Sequence, residues 1–140
     1  MKKNIIFIIL IIVIAIIGTL FLSTGRVRTD VFLSHFEISD NSEILTLKVG
    51  VSSSSGYIRK MKNKQGGDNY YLTFYSTFGI NSNIGAKNTF NLEVNPNATE
   101  IYFYTGNGDY QKVLQKDPTT GEWLTVASFT SSTVVSVNKK

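Results

Sequence analysis

Four cationic side chains lie close together in the segment RKMKNK, where Arg59, Lys60, Lys62 and Lys64 fall within six residues. A cluster of this kind attracts anions, and lipid headgroups or cell-wall polymers are candidate ligands. The alternative is a solvated edge strand, on which lysines deter pairing with a second sheet. Both interpretations stay open at the level of sequence.

Tyrosines flank this basic segment at Tyr57, Tyr70 and Tyr71. A tyrosine ring is a flat apolar surface with a polar end, which suits stacking against a glycan or a peptide. Tyrosine is also an ordinary strand residue, which is the alternative explanation. The three tyrosines and the four cations are the candidate binding residues.

No group of residues nominates a catalytic or metal site. His35 is the only histidine and the chain has no cysteine, which argues against zinc. The acidic residues fall mostly at turns or outward strand positions, and no two are marked as a glycosidase pair. We therefore predict no catalytic residue, no metal and no cofactor, and an enzyme is the less favoured class.

The apolar run at 5–22, IIFIILIIVIAIIGTLFL, is the element that places the protein. Sixteen of its eighteen residues are apolar and none is charged. As a helix rising about 1.5 Å per residue it spans roughly 27 Å, close to the hydrocarbon thickness of a bilayer. The run is therefore predicted to be a transmembrane anchor, with the lipid bilayer as its partner.

A cleaved signal peptide, which would leave a secreted protein, is the alternative. Signal peptides have apolar cores of about 7–15 residues and a small-x-small cleavage site. This run is longer, and its one passable site is Ser23-Thr24-Gly25. Lys2 and Lys3 favour a cytoplasmic N-terminus. Arg26 and Arg28, on the other side of the run, weaken that bias.

Residues 26–140 carry twelve Lys and Arg against ten Asp and Glu, a net charge of +2. That balance gives no basis for a nucleic-acid partner. About 115 residues suffice for one domain with a real core. The absence of cysteine excludes a disulfide framework.

Apolar residues in this domain alternate, as they do in strands. The clearest case is Leu45, Leu47, Val49 and Val51, and Asn107-Gly108 is the best hairpin signal, since both residues accept the positive φ of a type I′ turn. The pattern predicts an all-β fold of seven or eight strands, an antiparallel β-sandwich of Ig-like or jelly-roll-like type. A small β-barrel is the alternative.

The predicted organisation is a cytoplasmic N-terminus at 1–4, the anchor at 5–22, a polar linker at 23–30, the β-sandwich domain at 31–130, and a tail or edge strand at 131–140. The first strand is predicted to place four alternate residues on one face, namely Phe32, Ser34, Phe36 and Ile38. The segment 62–69 is predicted to be a polar loop, and 123–129 the last strand.

The block GYIRKMKNKQGGDNYYLTFYSTFGINSNIGAKNTFNLEV, followed by EIYFYTGNGDYQKVLQKDPTTGEWL, resembles small exported or membrane-anchored proteins of unknown function from low-GC Gram-positive bacteria. The resemblance covers residues 56–124. It implies an extracytoplasmic β domain and brings no catalytic residue.

These observations predict a membrane-anchored, extracytoplasmic binding or accessory module at the cell membrane. Its partner would be a protein or a cell-envelope polymer, bound at an exposed sheet edge or at a tyrosine-rich face. The alternatives are a polymer-modifying enzyme of the cell envelope and a structural subunit of a membrane complex.

Overall fold

The computed structural model describes residues 2–22, 24–41, 43–79, 82–126 and 134–136. These residues form one helix and ten strands. In chain order they are α1 (Lys2–Leu22), β1 (Thr24–Arg28), β2 (Val31–Ile38), β3 (Ile44–Val51), β4 (Ile58–Gly66), β5 (Asn69–Thr77), β6 (Thr89–Glu93), β7 (Glu100–Gly106), β8 (Asp109–Lys116), β9 (Trp123–Thr125) and β10 (Val134–Ser136). The predicted all-β class of the domain is confirmed.

The smaller sheet has three antiparallel strands in the order β2-β3-β6. The alternation predicted for β3 is confirmed, because Leu45, Leu47 and Val49 are buried and Val51 is half-buried. Strand β3 lies in the middle of this sheet and supplies much of its apolar face.

A β-bulge in β2 changes which side chains face the core. Ser34 is the extra residue, and its hydroxyl donates a hydrogen bond to a β3 carbonyl at 3.0 Å. Leu33 before the bulge and Phe36 after it pack against the core, whereas Phe32 is exposed. The predicted shared face of alternate residues from Phe32 to Ile38 is therefore wrong, since an inserted residue shifts the two-residue alternation.

The larger sheet has seven strands and is organised around β5. Strand β4 pairs along one side of β5, while β7 and β1 share the other side, β7 at residues 69–72 and β1 at residues 74–77. The β5–β7 pair is parallel, so the predicted antiparallel arrangement is wrong at this pair. The chain passes through β6 of the other sheet between these two strands.

Strand β8 extends the larger sheet beyond β7. The two strands are joined by the predicted hairpin, in which Asn107 and Gly108 have φ of 55° and 88°, as a type I′ turn requires. On the side of β8 away from β7, β10 pairs with residues 109–111 and β9 pairs with residues 114–116. Of the strand predicted at 123–129, β9 is described, and 127–129 lie outside the described residues.

Both sheets contribute to one hydrophobic core. It contains buried residues from β3 and β6 of the smaller sheet and from β4, β5, β7 and β8 of the larger one. At its centre the rings of Phe74 and Phe103 meet edge to face with centroids 4.8 Å apart. Every residue of β5 is buried or half-buried, so both faces of this strand are at least partly covered.

Two segments predicted to be irregular are strands. The predicted linker at 23–30 contains β1, so Ser23 alone separates α1 from the sheet in sequence. The predicted loop at 62–69 is the end of β4 and the start of β5, joined by Gly67-Asp68. Gly67 has a φ of 65°, as the first loop position of a type II′ turn requires. Polar side chains on an edge strand give the segment the composition of a loop.

Helix α1 exposes apolar side chains on all sides. Every Ile, Leu, Val and Phe from Ile5 to Ile17 is 43–65% exposed, so the described domain does not cover them. Counting only residues whose side chains the structure describes, no helix is long and apolar enough to span a membrane. The anchor stays a prediction.

Candidate binding face

Three of the predicted cations form a row on the outer face of the larger sheet, and they are Lys60, Lys62 and Lys64. Their pairing partners on β5 are, in the same order, Tyr75, Thr73 and Tyr71. Between them, Met61 pairs with buried Phe74 and packs against the core. Because successive side chains of a strand point to opposite faces, the lysines point away from the core, about 6.6 Å apart. All three are exposed.

Arg59 does not belong to this row. It is the extra residue of a second β-bulge, in β4. Its guanidinium donates a hydrogen bond to the Ile84 carbonyl at 3.2 Å. A Cβ on Gly85 would lie 2.7 Å from the Arg59 Nη1. Arg59 therefore supports the chain around Ile84 instead of extending the lysine row.

A cluster of four tyrosines lies beside the lysines on the same face, and its members are Tyr71, Tyr102, Tyr104 and Tyr110. Tyr71 stacks on Tyr102 and meets Tyr110 edge to face, each with centroids 5.1 Å apart. Tyr104 meets Tyr110 edge to face at 5.2 Å. Each contact adds roughly 0.5–1.5 kcal/mol beyond burial, so the cluster is a rigid platform. Tyr102 is 3% exposed and only supports the platform, whereas Tyr71, Tyr104 and Tyr110 are half-buried and form its accessible part. We call the three lysines and four tyrosines the lysine–tyrosine face.

Only Tyr71 of this cluster is a residue that the sequence predicts for binding. Strand β7 carries tyrosines at alternate positions, Tyr102 and Tyr104, and the Asn107-Gly108 turn returns Tyr110 beside them. These local signals are present in the sequence. The parallel pairing that places β7 next to Tyr71 leaves no local pattern, so the sequence does not predict the complete cluster.

The other two predicted tyrosines lie elsewhere. Tyr70 is in the core, 4% exposed, and its hydroxyl accepts a hydrogen bond from the Asn95 backbone N–H at 3.0 Å. It is therefore not available for stacking. The prediction that Tyr70 and Tyr71 belong to one binding surface is wrong, because neighbouring strand residues face opposite sides. Tyr57 is exposed but precedes β4, and its carbonyl accepts a hydrogen bond from the N–H of Thr77.

Glu100 neutralises one cation at the margin of the tyrosine cluster. The Lys112 ammonium and the Tyr102 hydroxyl both donate to its carboxylate, each at 2.5 Å. Burial raises the pKa of Glu100, but these hydrogen bonds outweigh it, so the pKa lies below its ordinary value. Burial and the Glu100 carboxylate raise the pKa of Tyr102. The net positive charge of the face therefore comes from the lysine row.

One lysine of the row also contacts the sheet surface. The Lys62 ammonium lies 5.0 Å from the centre of the Tyr75 ring, a cation–π contact worth about 0.5–1 kcal/mol at an exposed site. The face thus offers exposed ammonium groups along β4 and aromatic surface along β5, β7 and β8. Such a surface binds anionic groups and stacks on flat or apolar ones.

No protein-family model, curated protein or solved structure matches this chain. The resemblance inferred from the sequence stays a prediction, and no residue role is transferred from another protein.

His35 lies on the exposed side of β2. Its ring is 3.5 Å from the Glu37 carboxylate, and the two side chains are 63% and 73% exposed. Within the described ranges, no three or more His, Asp or Glu side chains are grouped so as to hold a metal ion. His35 therefore has the surroundings of a surface residue.

A cleft of about 640 Å³ opens between β2 and the strands β7 and β8. Its walls include Leu33, Phe103 and Val113. Among the described side chains that line it, Asp30 is the only acidic or basic one, and it is ion-paired with Arg28. The cleft therefore brings no pair of carboxylates together.

Proposed function

We propose that this protein is a membrane-anchored, extracytoplasmic binding module whose lysine–tyrosine face binds an extended anionic polymer. The observation that carries the proposal is the row of Lys60, Lys62 and Lys64 beside a rigid tyrosine cluster. Ammonium groups repeated about every 6.6 Å suit a linear chain with negative charges at a similar repeat.

The shape of the face favours a polymer over a small molecule. Small-molecule sites are concave and enclose most of the ligand surface, whereas the lysines stand exposed on a sheet. A polymer gains affinity by touching several weak sites in succession, because each contact raises the effective concentration for the next. Three separated cations on one strand provide such a series.

The face is favoured over the free edge of β4 as the binding surface. Among the described strands, β4 pairs only with β5 and so has an open edge. A partner strand would have to pair beside three lysines, and lysines on an edge strand act against such pairing. The ligand is therefore placed on the side chains of β4 instead of on its backbone.

The role of α1 as an anchor is supported by its exposed apolar surface. The helix backbone extends over 21 residues, roughly 30 Å, and its apolar side chains from Ile5 to Ile17 are exposed all round. In water this surface is unfavourable, whereas a bilayer accepts it and the helix bonds its own backbone groups. A helix without a polar face is not suited to lying along the bilayer surface, so in this proposal α1 crosses the bilayer.

The architecture that presents the face is, in this proposal, a β-sandwich of Ig-like or jelly-roll-like type. The core shared by the two sheets supports it, since sheets packed face to face leave one outer face each. The lysine–tyrosine face is the outer face of the larger sheet.

Binding of long-chain polyphosphate to the full-length protein in vesicles of zwitterionic lipid tests the proposal. Lys60, Lys62 and Lys64 are changed together to Gln. Exposed charge contacts contribute about 0.2–1 kcal/mol each, so we expect roughly tenfold weaker binding. Wild-type binding should also weaken as salt rises, because exposed charges are screened.

The control carries the same loss of charge away from the face. It changes Lys48, which is exposed on β3, and Lys139 and Lys140, which lie outside the described residues. If the control weakens binding as much as the face variant, net charge alone accounts for binding and the proposed face is wrong. Full protection of the domain from protease added to intact cells would contradict the extracytoplasmic location.

A further inference from the structure

The end of the domain that adjoins α1 is built around Thr77, the last residue of β5. Thr77 is 1% exposed and pairs with Thr24 at the start of β1. Its N–H donates to the Tyr57 carbonyl at 3.0 Å, and its hydroxyl donates to the Ser82 carbonyl at 2.5 Å. Three segments of the chain therefore meet next to the point where β1 follows the helix.

These segments present exposed apolar side chains. Tyr57 is 45% exposed, Phe78 40% and Ile84 47%. Single exposed apolar residues are ordinary on a protein surface, whereas a group of them marks a contact surface. Here Phe78 follows Thr77 in sequence, Tyr57 accepts the hydrogen bond of the Thr77 N–H, and Ile84 lies two residues after Ser82, which accepts that of its hydroxyl.

The same end of the domain carries more cations than acids. The stretches 24–27, 56–59 and 78–88 contain Arg26, Arg59 and Lys87 and no Asp or Glu. Asp30 lines the same surface as Arg26, but its carboxylate is ion-paired with Arg28. The side chains of Arg26 and Lys87 are exposed. Each Lys or Arg held near an anionic bilayer strengthens binding about fivefold. Charge and apolar surface thus coincide at the end nearest α1.

We propose that this helix-proximal end, formed by Tyr57, Phe78, Ile84, Arg26 and Lys87, docks on the bilayer surface and places its apolar side chains among anionic lipid headgroups. The inference rests on the proposed anchoring by α1, which brings this end to the membrane. Aromatic and cationic side chains are the ones enriched at membrane–water interfaces. The occupant is therefore the bilayer into which the same chain inserts.

Docking fixes the direction of the lysine row. Lys60 pairs with Tyr75, two residues from Thr77, whereas Lys64 pairs with Tyr71, six residues away and about 20 Å along the strand. Lys60 is thus nearest the bilayer and Lys64 farthest from it. A polymer bound along the row is led away from the membrane surface.

A single fluorescent probe on the full-length protein tests the docking. The chain has no cysteine, so Ile84→Cys carries one environment-sensitive dye, and Leu124→Cys is the matched control. Leu124 is 49% exposed and lies at the opposite end of the larger sheet. It pairs with Gln115 of β8, Gln115 pairs with Glu100 of β7, and Glu100 pairs with Asn69, the first residue of β5. The proteins are inserted into vesicles of phosphatidylcholine, with or without phosphatidylglycerol, that contain a lipid with a quencher at headgroup depth.

We expect quenching of the dye at position 84 in vesicles with phosphatidylglycerol, and little quenching at position 124. Changing Arg26 and Lys87 together to Gln should lower the ratio of docked to undocked domain about 25-fold, fivefold for each charge. The same loss of charge at Lys48 and Lys139 should leave it unchanged. An Arg26 and Lys87 variant that docks like the wild type would overturn the role of anionic headgroups.

Alkaline carbonate extraction of the same vesicles separates the two proposals. Equal quenching at positions 84 and 124, in vesicles that retain the protein, overturns the docking and leaves the anchor standing. Release of the wild-type protein by carbonate overturns the anchor and the docking together.

Discussion

At the scale of single residues, Arg28 ties the first strand to the rest of the domain. Its guanidinium donates to both oxygens of the Asp30 carboxylate, at 2.9 and 2.6 Å, and also to the Ser53 hydroxyl and the Ser55 carbonyl. Its side chain is 11% exposed and that of Asp30 26%. The corner between β1 and β2 is therefore held by a partly buried ion pair, in the segment that the sequence predicts to be a linker.

This ion pair makes stability depend on pH. Hydrogen bonds from Arg28 lower the pKa of Asp30 to about 2, against an ordinary value of 3.8 and against the effect of burial. The folded state therefore binds the proton less tightly than the unfolded chain, and the stabilisation is complete above about pH 4 and lost as the pH falls towards 2. With screening at this partly exposed site, it amounts to about 1–2 kcal/mol.

Asp30→Asn should lower the free energy of unfolding by that amount at pH 7 and by a small fraction of it at pH 2. Urea unfolding in mild detergent, followed by circular dichroism, measures both values. Asp40→Asn is the control, since Asp40 is exposed and should show no such loss. An Asp30 variant as stable as the wild type at pH 7 would show that the ion pair does not stabilise the fold.

At the scale of elements, strand β1 packs very closely against strand β5. A Cβ on Gly25 would lie 2.2 Å from the Ser76 hydroxyl and 2.3 Å from the Thr77 carbonyl oxygen, so the two strands approach as closely as they do because residue 25 has no side chain. This contact joins the domain to α1 without a flexible segment of eight residues.

Gly25→Ala should therefore push β1 off β5. We expect a loss of about 1–3 kcal/mol of unfolding free energy, as in overpacked cores, and faster hydrogen exchange of the β1 amides. Gly18→Ala in α1 is the control, because a Cβ there meets nothing within 4 Å. Unchanged hydrogen exchange of the β1 amides in the Gly25 variant would contradict the close packing of β1 against β5.

The same elements show how far the sequence predicts the fold. Local patterns suffice for β3, whose apolar residues alternate without interruption, and for the Asn107-Gly108 hairpin, whose turn type depends on two residues. They fail at Ser34, where one inserted residue reverses the alternation, and at β1, whose strand character comes from pairing with β5.

The sequence likewise predicts only part of the candidate site. The spacing of Lys60, Lys62 and Lys64 on β4 was enough to predict a basic cluster, which the structure places on one face. Alternation shows that Tyr70 and Tyr71 point to opposite sides, but only the packing of the two sheets decides that Tyr70 is the buried one. Long-range pairing is therefore the part of the site that the sequence does not reveal.

At the scale of the whole molecule, an apolar helix precedes a β domain that carries cationic groups at two places, the end next to α1 and the lysine row. Cations outnumber acids at the end next to α1, and the lysine row starts near that end and runs away from it. In this account, the helix determines where the domain sits and the larger sheet determines what it binds. Both parts depend on α1 being held in a bilayer.

Alkaline carbonate extraction of membranes from cells that produce the full-length protein tests that claim most directly. Ile11 and Ile12, both about half exposed in α1, are changed to Asp in a comparison variant. Each charge costs about 2.5–3.5 kcal/mol at the centre of a spanning helix. We expect the wild type to stay in the membrane pellet and the variant to be released. Release of the wild type into the supernatant would contradict it.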